Sequence, residues 1–130
     1  MDISVTDGLQ ALAASVLRSA AVYGSLLQQL QGPKKDIVRQ LYQQQLETLH
    51  VLQGIYALAT GRRMNVQTEQ QALENIEPTL RRTYGQSLKN LAVYEKRSAD
   101  GEFGVVFEAL AVREREHCRK IAELMGLLQV

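Results

Sequence analysis

The chain has 130 residues, 45% of them hydrophobic and 22% charged, with a formal net charge of +1. That is enough for one domain with its own core and too little for a second module, and the near-neutral balance excludes capture of nucleic acid or an anionic membrane by bulk charge. The single cysteine, Cys118, excludes an intramolecular disulfide and a Cys-x-x-Cys iron module, and it fits a reducing compartment. Met1 to Asp7 carry neither a basic start nor an apolar run, so no signal peptide is expected. No stretch approaches the length of a membrane span, and the default location is the cytoplasm.

Taken in order, the elements are all helical. Thr6 or Asp7 is placed to cap a first helix over about 8–31, with a stripe of Leu9, Leu12, Ala13, Val16, Ala20, Tyr23, Leu27 and Leu30. Gly32-Pro33 interrupts that pattern, and a second helix is expected over about 35–60, closed by Gly61. Residues 61–76 read as a polar connection with a short helical turn near 70–76. Pro78 opens a third helix to about Ala99, with Leu80, Tyr84, Leu88, Leu91 and Tyr94 on its expected inner face. Asp100-Gly101 ends it, and a last helix covers about 103–127. Two hairpins joined by a longer connection make an antiparallel four-helix bundle the expected architecture, a single domain over 1–130.

Both histidines of the chain follow a glutamate by three residues, as Glu47-Thr48-Leu49-His50 and Glu114-Arg115-Glu116-His117. Third neighbours share a helix face, so each run aims a carboxylate and an imidazole in one direction. At this glutamate content the double coincidence is expected by chance in fewer than about 1% of cases. Ala21-Val22-Tyr23 also recurs as Ala92-Val93-Tyr94, each copy ahead of one run. The two features together point to a duplicated helical hairpin with pseudo-twofold symmetry, which would bring the Glu-His pairs face to face.

In the last helix, Phe107, Leu110, Glu114, His117, Ile121, Leu124 and Leu128 form one stripe, which sets Glu114 and His117 inside the apolar face. The second helix is less selective. Its strongest stripe is Val38, Leu41, Tyr42, Leu49, Leu52 and Tyr56, with Glu47 and His50 on a flank, and only the symmetry carries that pair inward.

With these residues in view, the chain resembles the ferritin-like superfamily, specifically the small rubrerythrin-type bundles. The two Glu-x-x-His runs, the preceding Ala-x-Tyr segments, the helix lengths and stretches such as Leu52-Gln53-Gly54-Ile55-Tyr56-Ala57-Leu58 carry the resemblance over essentially the whole chain. It implies a metal centre held by Glu47, His50, Glu114 and His117, with iron, manganese or zinc as the ion. In that family the first and third helices each add a glutamate one heptad before the tyrosine. Here those positions hold Val16 and Ser87, neither acidic. Two carboxylates offset one divalent ion but not two, so a mononuclear site is expected if metal is bound. Gln43, Gln86 and Asn90 are uncharged substitutes.

The resemblance implies a metal-binding protein, an oxidoreductase acting on peroxide or oxygen with a separate electron donor. The alternative is a metal-free bundle with a vestigial site and a structural or protein-interaction role, in which each histidine pairs within a satisfied buried network. The widely spread apolar residues of the second helix favour a homodimer. Iron storage as a cage fits poorly with the missing ligands. Tyr23, Tyr94 and Cys118 are expected to be core residues.

Overall fold

The computed structural model describes residues 6–67 and 75–129. Those residues hold four helices and no strand: α1 (Leu9–Leu27), α2 (Gly32–Thr60), α3 (Ile76–Arg97) and α4 (Gly104–Leu128). The helical turn expected near 70–76 falls largely on residues 68–74, outside the described ones. No helix among the described residues is long and apolar enough to cross a membrane.

The helix ends follow local chemistry. Gly8, at φ 76°, precedes α1 and makes no side-chain cap, so the cap expected at Thr6 or Asp7 is corrected to a glycine in the left-handed region. Pro33 both interrupts α1's pattern and sits in the first turn of α2, where its missing N–H costs nothing. Gly61, at φ 70°, closes α2 as expected, its N–H bonding Ala57 O at 2.8 Å. Gly104 starts α4 for a steric reason. A β-carbon there would meet the Ser98 carbonyl oxygen at 2.6 Å. Gly104→Ala is therefore expected to lose about 1–3 kcal/mol in chemical denaturation, because backbone rather than a pliant side chain must move; a loss below about 0.5 kcal/mol would show the turn to be adaptable.

Helix α1 packs on α2, α3 on α4, α2 on α4 and α1 on α3. Two apolar clusters fill the interior. In one, Leu9, Leu12 and Val16 meet Leu49, Leu52 and Ile55, together with Tyr94, Phe107 and Leu110. In the other, Tyr23 and Leu26 meet Val38, Leu41, Leu80, Ile121 and Leu124. Each fully buried leucine of this kind contributes roughly 1.5–3 kcal/mol. All four helices place buried polar residues between the two clusters: Ser19 on α1, Gln45 and Thr48 on α2, Thr83, Ser87 and Asn90 on α3, Glu114 and His117 on α4.

The buried face of α3 is thus Leu80, Thr83, Ser87, Asn90 and Tyr94. The apolar stripe expected there is corrected: Tyr84 and Leu91 are half-buried, and Leu88 is 43% exposed. The inner positions are small and polar, and α3 meets α1 through Asn90 Nδ2, which donates to Ser15 Oγ at 3.1 Å.

Candidate functional site

The periodicity of burial shows how the two halves correspond. On α1 the buried Leu9, Leu12, Val16, Ser19 and Tyr23 recur on α3 as Leu80, Thr83, Ser87, Asn90 and Tyr94, each 71 residues on. On α2 the buried Val38, Leu41, Gln45, Thr48, Leu49, Leu52 and Ile55 recur on α4 as Phe107, Leu110, Glu114, His117, Cys118, Ile121 and Leu124, each 69 residues on. The positions matching Glu114 and His117 are therefore Gln45 and Thr48, not Glu47 and His50. The Glu47–His50 run stands two residues out of register with Glu114–His117, which on a helix is about 200° of rotation.

Glu47 and His50 accordingly lie on the exposed side of α2, and their expected inward placement is corrected. Glu47 has a charge partner outside the core, since its carboxylate lies 3.7 Å from Arg113 Nη1. That pair belongs to a ladder along the seam of α2 and α4. Lys120 Nζ donates to Gln40 Oε1 at 2.6 Å, and His117 Nδ1 lies 3.0 Å from Gln44 Oε1. The apolar demand at Leu41, Leu49 and Leu52 fixes the rotation of α2, and it leaves Glu47 and His50 in solvent.

Glu114 and His117 are buried as expected, at 1% and 0% exposure. Both ring nitrogens of His117 are engaged. Its Nε2 is 2.8 Å from Tyr23 OH across the interior, and Nδ1 is 3.0 Å from Gln44 Oε1. Because the Gln44 oxygen only accepts, Nδ1 carries the proton and Nε2 accepts from the tyrosine hydroxyl. Tyr23 also stands edge-on to the imidazole, with centroids 5.4 Å apart. Burial pulls the His117 pKa down to about 3, so the ring is neutral. Burial pushes the Tyr23 hydroxyl up, with the Glu114 charge adding to the effect, so it stays a donor.

Burial raises Glu114 to about 7, while Ser87 and Gln45 beside it act in the opposite direction. Those neighbours are close enough to influence the carboxyl, yet hydrogen-bond geometry is not reached. Glu114 Oε1, both amide atoms of Gln45, Ser87 Oγ and Tyr94 OH are all buried without a hydrogen-bond partner among the described residues. Each such group costs about 1–3 kcal/mol if left bare; together they rival the whole stability of a domain of this size. Tyr94 shows how the halves diverge. Its counterpart Tyr23 bonds His117, whereas the position matching His117 in the other half is the shorter Thr48. Cys118 is free and buried, and burial pushes its thiol up to about 11, so it is no ready ligand or nucleophile.

The inward-facing donors do not fit a two-ion centre of iron, manganese or zinc. Among the described residues one carboxylate, Glu114, faces inward where two divalent ions bring four positive charges, and the one inward imidazole, His117, has both nitrogens committed. The other matched positions hold Val16, Ser87, Gln45 and Thr48, which offer no charge. No group of three or more His, Cys, Asp or Glu placed to hold a metal occurs among the described residues.

The described residues thus define an all-helical fold of four helices with a polar layer between two apolar clusters. Searches of protein-family models, curated proteins and solved structures returned no match to this chain.

Proposed function

We propose that this chain is a metal-free four-helix bundle of ferritin-like ancestry, with a vestigial centre and a role in protein association rather than catalysis. The observation that carries it is the double engagement of His117 by Tyr23 and Gln44, which occupies the lone pair a metal needs. The ancestry is supported by the matched burial of the two halves. The antiparallel arrangement is supported by the cluster composition, since the start of α1 groups with the ends of α2 and α3 and the start of α4. The α2–α4 ladder supports it too, because its α2 members ascend as its α4 members descend.

The association role rests on the outer surface. Leu58 on α2 is 80% exposed, and Val105 and Val112 on α4 are 79% and 58% exposed. These helices are each other's counterparts under the repeat, and the occupant we assign to their outer face is a second copy of the chain. Sedimentation should give a dimer, and Leu58→Asp with Val105→Asp should give a folded monomer; a monomeric parent protein would contradict this part.

Metal analysis tests the rest. Protein purified without chelator is expected to hold far less than one equivalent of iron, manganese or zinc, and its melting temperature should not rise when these ions are added. Stoichiometric metal that is lost in Glu114→Ala/His117→Ala would overturn the proposal and restore the metal-binding oxidoreductase with a separate electron donor.

A further inference from the structure

Five unpartnered buried polar atoms come from residues on three helices: Gln45 on α2, Ser87 and Tyr94 on α3, Glu114 on α4. All four residues are at most 1% exposed. Gln45, Ser87 and Glu114 lie in the polar layer between the two apolar clusters, with Tyr94 at its edge, on helices that pack α2 on α4 and α3 on α4. The Glu114 carboxyl feels Ser87 and Gln45, and its charge reaches Tyr94. We infer that this centre is a binding site for internal water, one or two molecules held among Glu114 Oε1, the Gln45 amide, Ser87 Oγ and Tyr94 OH.

The donor and acceptor inventory selects water over other small guests. Water donates twice and accepts twice. It gives protons to Glu114 Oε1 and Gln45 Oε1 and receives them from the Ser87 and Tyr94 hydroxyls. A bare cation pairs with the oxygens alone and leaves Gln45 Nε2, a donor, still unsatisfied. A second water accepts from that amide nitrogen. The site pairs with Glu114 in either protonation state, since a water turns to donate to the carboxylate or to accept from the acid. This inference rests on the metal-free centre proposed above and names what takes the place of ions there.

High-resolution diffraction, with anomalous data at the iron, manganese and zinc edges and a parallel rubidium soak, tests it. The expected result is a non-anomalous peak within hydrogen-bond reach of Glu114 Oε1 and of at least one of Ser87 Oγ and Tyr94 OH. Magnetic relaxation dispersion in solution should then report long-lived water that is lost in Ser87→Ala/Tyr94→Phe. If the four side chains instead close directly on one another without water, the inference fails while the metal-free centre stands. A rubidium peak at the centre also overturns it, in favour of a monovalent cation. An anomalous peak at a transition-metal edge overturns the metal-free centre itself.

Discussion

Replacing His117 with alanine is expected to cost about 3–4 kcal/mol of stability at neutral pH, whereas His50→Ala should stay within about 0.5 kcal/mol. The asymmetry follows from placement. His117 is fully buried, and its loss opens a cavity and leaves the Tyr23 hydroxyl without its acceptor. His50 is exposed on α2 and supports no such contact. Tyr23→Phe keeps the ring and removes only the hydroxyl, so about 1–2 kcal/mol is expected. A double-mutant cycle over Tyr23 and His117 should then show coupling of about 1 kcal/mol or more, as for groups that share one bond. Denaturant unfolding of the variants measures all of these. Equal losses at His50 and His117 would mean that both histidines serve one centre, contrary to the register of the helices.

The second large effect concerns Glu114, and its sign depends on pH. Burial raises this carboxyl from 4.5 to about 7, so the folded protein holds its proton more tightly than the unfolded chain. That contribution is complete below about pH 4.5 and is lost as pH rises through about 7. His117 acts in the opposite direction. Its folded pKa is lowered from 6.5 to about 3, so its contribution is present above about 6.5 and disappears as pH falls toward 3. Between these ranges the two slopes oppose each other. Glu114→Gln mimics the protonated acid and removes only the loss at high pH. The variant is expected to be more stable than the parent by about 2–3 kcal/mol near pH 8, with little difference near pH 4. Urea unfolding of both proteins across that range reads the difference. A variant weaker than the parent near pH 8 would mean that an ionised Glu114 is held by a charge partner such as a cation.

Much of the fold was legible because the apolar residues are spaced for it. The four helices lie close to their expected bounds, and the buried stripe of α4 appears as expected from Phe107 to Leu124, including Glu114 and His117, with Leu128 half-buried. The departures have one physical origin. Where a helix buries polar residues, an inner face chosen by hydrophobicity turns away from the true one. On α3 this drew Tyr84, Leu88 and Leu91 inward in place of Thr83 and Asn90, while Ser87, one heptad before Tyr94, is buried as its position predicts. On α2 the buried polar pair is Gln45 and Thr48, which does not look like a site, while the run that does, Glu47 and His50, faces out. The stripe of Val38, Leu41, Leu49 and Leu52 already placed Glu47 and His50 on a flank, and only matching the two motifs by their letters moved them inside. Matching the halves by burial spacing aligns Glu114 with Gln45. Gln44 as a histidine partner had no signal in the sequence, because the contact depends on how α2 and α4 meet.

The two nitrogens of His117 offer the most direct test of a centre closed by the protein's own hydrogen bonds. Nitrogen-15 NMR of the imidazole should show a single neutral tautomer protonated at Nδ1, without titration through the usual histidine range, since its pKa lies near 3. Adding zinc, manganese or ferrous iron should leave both resonances in place. A Nε2 signal that shifts or broadens stoichiometrically with metal, while the Tyr23 hydroxyl contact is lost, would contradict the proposal and make His117 a ligand.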